Sequence, residues 1–365
     1  MRFLWRFTKR LLFLLAVVVI LFGTMIAYLG VTTPEPRASD VWSRLPDLPH
    51  PRGESASAIG ARVVDDLCPP GEPCPSSEAQ FFVMGGLAGP FASTVDTVDI
   101  FDPGLGSWSD GPALPEPRHH AAGAGLGGVV YLSGGSRTST NWEPTDTFWR
   151  LLPIDEQWED LPPMPEPRMG HQMVAIQQKL YVIGGQGETT NVLIYDTVEE
   201  TWSLGAEMPT RRDHLAAAVA GLRIYAMGGR GDQLTSAVEI YDTITDSWTD
   251  GPDLPMPMSA MAVATLPDGI HVVGGEDPAV IGGTVIDEHL VLRPGGSDWT
   301  NAALPIIATH GSASAVLRGS MIIAGGSRRQ GALSVLGWTG VFQLYEPNAQ
   351  PLSPSPSPSP EPTAP

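Results

Sequence analysis

From residue 41 to residue 347 the apolar residues come in short runs, never at the three-to-four spacing of a long amphipathic helix. Six of these runs, FFVM, VYLS, LYVI, IYAM, IHVV and MIIA, stop at a glycine pair: Gly85-Gly86, Gly134-Gly135, Gly184-Gly185, Gly228-Gly229, Gly274-Gly275 and Gly325-Gly326. Around each pair the pattern predicts four short strands. The first is small and apolar, as in Leu215–Ala220, and a turn leads to the second, as in Arg223–Met227. The third ends in an aromatic-acid pair, as in Phe101-Asp102, Tyr195-Asp196 and Tyr241-Asp242, and the fourth carries a tryptophan. Short strands at regular spacing between Gly and Pro turns predict an all-β closed array.

The spacing between markers divides each unit into a rigid part and a free part. From tryptophan to glycine pair the interval is 26 residues for Trp108, Trp158, Trp202, Trp248 and Trp299. From Trp42 to Gly85 it is 43, which places a 17-residue insertion, with the sequence CPPGEPC, in the first hairpin of the first unit. From glycine pair to the next tryptophan it varies: 23, 24, 18, 20 and 25. A four-stranded sheet of this kind buries both faces only by stacking on its neighbours.

The apolar run with Gly-Gly, then Tyr-Asp or Phe-Asp, then Trp resembles the kelch repeat over roughly residues 41–347. The resemblance implies a six-bladed β-propeller. Three units depart from the pattern: Trp149-Arg150 replaces the aromatic-acid pair in the second, the fifth lacks one near Glu288–Leu292, and the sixth has Tyr345-Glu346. Less regular outer edges are expected there. The sixth glycine pair has no tryptophan at the usual interval, and Trp42 stands surplus before the first. The strand around Trp42 is therefore expected to complete the last blade beside the strand ending at Tyr345, closing the ring with the N-terminal strand and leaving no open edge.

The first thirty residues change the picture. Residues 1–10 carry Arg2, Arg6, Lys9 and Arg10 and no acid, and residues 11–30 carry no charge. Twenty apolar residues in a helix span about 30 Å, and the basic flank holds that end in the cytoplasm. This predicts a single-pass transmembrane signal anchor with the propeller extracytoplasmic. The rival reading is a cleaved signal peptide, which has a shorter apolar core and a small-x-small site that Ala27-Tyr28-Leu29 does not supply. Residues 31–40 read as a linker, and 348–365, PLSPSPSPSPEPTAP at the end, as an extended disordered tail. All 40 acidic residues follow the apolar run, and the whole chain carries a formal charge of −19. Nucleic acid is excluded as a partner on that balance. In an exported compartment Cys68 and Cys74 are able to form a disulfide; two free thiols in a loop is the alternative.

Candidate chemistry clusters on one face. The glycine-pair loops and the links from each Trp strand into the next blade share that face, and the loops are the part free in length. Ten residues after the tryptophan stand Arg52, Arg118, Arg168 and Arg212, but Met258 and Thr309 in the last two units. Histidines follow at His119, His120, His171, His214 and His310, and the loops add Arg137, Arg230, Arg328 and Arg329. A ring of Arg52, Arg118, His120, Arg168, His171, Arg212, His214, Arg230 and Arg328 at one mouth of the channel would attract an anion such as an acidic sugar or acidic peptide. The competing reading has the arginines binding backbone carbonyls. His120, His171 and His214 differ in their repeat offsets, so no metal set is read from them. His271 takes the place of Tyr131, Tyr181 and Tyr225 and reads as core. No nucleophile motif or phosphate loop is found, and no cofactor is implied.

The leading function is therefore a binding module that presents its loop face to a protein or glycan partner outside the membrane. Kelch propellers similar to this chain include exported enzymes acting on sialic acid, which makes an acidic-sugar mutarotase or epimerase the alternative, with a carboxylate such as Glu276 as general base. A copper oxidase like galactose oxidase needs a cysteine cross-linked to a tyrosine near its metal. Both cysteines of this chain lie in one hairpin on the other face, which argues against it.

Overall fold

The computed structural model describes residues 36–61, 79–152, 157–279 and 285–347, together with 16, 17 and 20. Among the described residues no helix is long and apolar enough to cross a membrane. The expected anchor at 11–30 (positions 16, 17 and 20 apart), the basic segment 1–10, the Cys68–Cys74 bridge and the tail 348–365 lie outside the described residues. The chain divides into two units, Met1–Pro36 and Arg37–Pro365. Every described strand belongs to the second.

Six four-stranded antiparallel sheets form the frame of this second unit. Blade 4 shows the sequence logic without distortion. Ala216–Ala220, Arg223–Met227, Val238–Asp242 and Ser247–Asp250 pair in order, with Tyr241 opposite Trp248. Two of the three irregular units have short outer strands, Glu159–Asp160 in blade 2 and Trp299–Asn301 in blade 5, whereas blade 6 keeps a four-residue outer strand. Trp42–Leu45 pairs with Phe342–Tyr345, Trp42 opposite Tyr345, so the N-terminal strand is the fourth strand of blade 6. The linker ends earlier than its composition suggested. Arg37 already donates from its backbone to Ile306 and ion-pairs with Asp287.

The first strands of successive blades pack side by side, and blade 6 returns to blade 1. Burial follows the interfaces, not the sheets. Each of six apolar clusters joins two neighbouring blades; one spans blades 4 and 5, another blades 5 and 6 with Trp42 and Tyr345. No blade owns a core, which is why the repeat needs its neighbours.

The recurrent tryptophans do more than fill space. Each indole N–H donates to a carbonyl in the preceding blade, four residues beyond that blade's own tryptophan. Trp108 reaches Pro46 at 2.7 Å, Trp158 Pro112 at 3.0 Å and Trp202 Pro162 at 2.9 Å. Trp248 reaches Ala206 at 3.3 Å, Trp299 Pro252 at 2.9 Å and Trp42 Ala303 at 2.8 Å. The outer rim is thus a closed circuit of six side-chain bonds.

Near the axis the first strands crowd one another, so their residues are small. A Cβ on Gly125 would run into the carbonyl oxygen of Ile59 in blade 1. Gly125→Ala is expected to destabilise the ring by about 1–3 kcal/mol as overpacking, read as a lower urea midpoint at unchanged slope. An unaltered midpoint would show that the strands can part there at no cost.

A seventh, three-stranded sheet was not foreseen. It pairs Arg52–Gly53 with Leu87–Ala88, and Leu87–Ala88 with Ser93–Thr94. In the other blades the same contact is one bridge: His119 with Ser136, Met169 with Gln186, Asp213 with Arg230, Ser259 with Glu276, His310 with Ser327. The segment leading into each blade is therefore tied to that blade's glycine-pair loop, and both belong to one face.

Candidate functional site

The four aligned arginines turn inward. Arg52, Arg118, Arg168 and Arg212 are at most 1% exposed, which removes them from the channel mouth where an anion was expected to meet them. Arg52 donates to the carbonyls of Gly85 (2.7 Å) and Val83 (2.8 Å) and pairs with Asp99. Arg212 donates to Ala226 (3.0 Å) and Thr210 (3.0 Å) and pairs with Glu239. Arg168 bonds Gly184 (3.1 Å) and pairs with Glu166. Arg118 pairs with Glu116 at 2.7 Å and lies over the Trp149 ring, 4.8 Å from its centre.

The third-strand partner explains this variation. Asp99, Trp149, Leu193, Glu239, Leu290 and Gln343 hold the same register position in the six blades. Where it is acidic the lead-in residue is Arg in an ion pair. Where it is Trp, the Arg stacks. In blade 3 it is Leu193, and Arg168 takes its acid from Glu166 in the lead-in itself. In blade 5 it is Leu290, and the lead-in residue is Met258, buried with it in one apolar cluster. The arginines thus staple each blade's own strands together, the carbonyl-binding role set beside ligand binding above.

Two residues past the staple, the chain takes a left-handed turn in every blade: Glu54 (φ 54°), His120 (55°), Gly170 (63°), His214 (52°), Ala260 (55°) and Gly311 (60°). Each N–H donates to the carbonyl of its counterpart in the preceding blade, at 2.8–3.0 Å, and Glu54 closes the circle onto Gly311. This hoop surrounds a small cavity of about 70 Å³, lined by Glu54, His120, His171 and His214 among others. Because three of the six hoop residues are Gly or Ala, their neighbours have room. The Glu54 carboxylate lies over Gly311, and the His214 ring lies 3.1 Å from where a Cβ on Gly170 would stand.

Glu54, His120 and His214 therefore converge on the axis, with ligand atoms within 4.8 Å of one another. His310 adds contacts to Glu54 (3.8 Å) and Glu276 (3.7 Å). Arg230 donates to His214 Nε2 at 2.8 Å and lies 3.2 Å from Asp213 and 3.5 Å from Glu276. The mouth is therefore of mixed charge, with Glu276 and Asp213 around the Arg230 guanidinium and Glu54 on the axis, and not the basic ring expected. His171 leaves the set: its Nε2 bonds Ser133 Oγ at 2.8 Å, and burial holds its pKa down to about 3, with Arg168 adding to the shift. Burial likewise lowers His119 and His120 below the usual imidazole range. Arg328 donates its backbone N–H to Gly337 at 3.0 Å and is half-buried. Arg137 ion-pairs with Glu116 at 2.8 Å.

Beside this cluster a groove of about 1280 Å³ runs across the loops of blades 2 to 4. Its walls include Glu143, Glu188, Arg211, Asp213, Arg230 and Asp232. Trp142, 43% exposed, stands next to it with its ring 4.6 Å from His120 and 5.3 Å from His119.

Residues 130–326, more than half of the chain, match the KLHDC2/KLHL20/DRC7 kelch-repeats domain. The chain belongs to this kelch-repeat family. No curated protein matches it. Among solved structures, one titled "Structure of YjhT" resembles the kelch ring with a TM-score of 0.63 at 16% identity, over 83% of this chain and 96% of that one. That likeness is one of fold.

Within the kelch pattern Glu54 is the site residue that sequence reading missed. A usable signal existed: Glu54, His120, Gly170, His214, Ala260 and Gly311 share one repeat offset, and two of them are the glycine that a left-handed turn favours. His120 and His214 are in step after all; it is His171 that is out of step, by one residue.

Proposed function

We propose that this kelch propeller is a binding module that receives a partner polypeptide along the groove on the glycine-pair-loop face, with a glycan as the other candidate ligand. The observation that carries the reading is the groove itself. It is large, open, flanked by an exposed tryptophan and walled by charges of both signs, as a peptide backbone with mixed side chains requires. Membership of the kelch family supports a protein-binding propeller. Residues 11–30 tether the module to a membrane, with the ring on the extracytoplasmic side; the charge asymmetry of the first thirty residues supports that placement.

The test is a peptide and glycan screen on the full-length protein, followed by Arg211→Glu with Asp232→Arg. Both residues are exposed in the groove wall. Binding is expected to fall at least tenfold, about 1.4 kcal/mol, with an unchanged melting temperature. Arg223→Glu, in the turn region of the opposite face, leaves it intact. Equal binding by the groove variant would remove the groove from the interface.

Trp142 favours a second reading. An exposed aromatic ring beside His120, itself 3.4 Å from Glu54, resembles a sugar platform next to an acid-base pair, which suits a mutarotase for an acidic sugar held by Arg230. Accelerated anomer exchange in NMR, lost in Glu54→Gln, distinguishes that enzyme from a pure binder.

A further inference from the structure

The protonation of the axial histidines is dictated by backbone carbonyls, and it leaves lone pairs where none are expected. His119 Nε2 lies 3.0 Å from the carbonyl oxygen of Thr138, which only accepts, so this nitrogen carries the hydrogen. In the neutral ring His119 Nδ1 is then an acceptor. It faces His120 Nδ1 at 2.5 Å, so His120 Nδ1 is the donor. His120 Nε2 is left with a bare lone pair, 3.4 Å from the Glu54 carboxylate. His310 repeats the pattern. Its Nε2 donates to the carbonyl of Arg329 at 2.7 Å, and its Nδ1, buried and without a hydrogen-bond partner, points at Glu54 from 3.8 Å.

With both rings neutral, two imidazole lone pairs face one carboxylate, acceptor to acceptor. A cation held among the three relieves that repulsion. His214 stands in the same cluster, its Nδ1 paired with Asp213, the carboxylate-histidine arrangement that fixes a metal-binding imidazole. We propose that the propeller axis holds one divalent transition-metal ion, bound by Glu54, His120 and His214, with His310 Nδ1 as a further donor. Nitrogen and carboxylate donors suit Zn²⁺ or its neighbours better than Ca²⁺ or Mg²⁺. The cavity of about 70 Å³ leaves room for the ion and its water. Arg230, which donates to His214 Nε2 at 2.8 Å, competes with the ion for that lone pair.

The site is separable from the groove reading, because it is tested with the metal alone. Full-length protein stripped with EDTA and titrated with Zn²⁺ is expected to bind one ion per chain, by calorimetry and elemental analysis. Co²⁺ in its place gives visible d–d bands. The variant Glu54→Gly/His120→Gly/His214→Gly copies the residue that blades 3 and 6 already carry, so the hoop survives and the ion is lost. Glu54→Gln, closer in shape, weakens binding at least tenfold and serves as the test should the triple variant melt early. His119→Ala frees the His120 tautomer and weakens binding about ten- to a hundredfold. Arg230→Gln tightens it. Absence of Zn²⁺ binding by the native protein, equal stoichiometry in the folded triple variant, or an unchanged affinity in Glu54→Gln overturns the proposal.

Discussion

Arg212→Met is expected to destabilise the protein by about 3–5 kcal/mol, and adding Glu239→Leu to restore most of the loss. The single change leaves a carboxylate buried in the third strand of blade 4 with its guanidinium gone. It also strands the carbonyls of Ala226 and Thr210, which Arg212 serves. The double change rebuilds in blade 4 what blade 5 already has, Met258 against Leu290. Urea denaturation of the two variants provides the measurement. If Arg212→Met alone is neutral, the staple contributes nothing, and the case for ligand binding by the arginines reopens. If the double variant is no better than the single, the pairing of lead-in residue with third-strand residue is coincidence.

The second large effect belongs to the closing strand. Trp42 is buried, packs against Tyr345 with ring centres 5.0 Å apart, and bonds Ala303. Trp42→Ala is expected to cost about 3–5 kcal/mol, a fall in melting temperature on the order of 10 °C. Deleting residues 41–46 goes further. It removes Trp42 as a donor and Pro46 as the acceptor of Trp108, two links of the six in the rim. It also bares the Phe342–Tyr345 edge, an unpaired strand open to aggregation. A truncated protein that melts with the native one would disprove closure by this strand.

The architecture was legible because its markers are chemically costly to misplace. A glycine pair in left-handed geometry and a tryptophan with a partner in the preceding blade leave a periodic trace that surface variation does not erase. The surplus Trp42 and the missing seventh tryptophan revealed the closure by counting alone. The site was less legible. Periodicity located Arg52, Arg118, Arg168 and Arg212, but spacing says nothing of which way a side chain points. For Arg52 and Arg212 the direction depends on an acid 47 and 27 positions later, Asp99 and Glu239. Glu54 was hidden for another reason. Its counterparts in the other blades are His, Gly and Ala, so no residue type recurs. What recurs is a backbone conformation, and residue identity reports it only through the glycines.

The axial hoop has a consequence for what this ring can become. Its six N–H groups all point the same way round, so the peptide dipoles circulate and their vector sum is close to nil. The backbone lends the mouth no field of its own. The local potential is written by the side chains at the six hoop positions, where Glu54, His120 and His214 fill the space that Gly170, Ala260 and Gly311 leave open. New chemistry can be fitted at the hub while the wheel stays true.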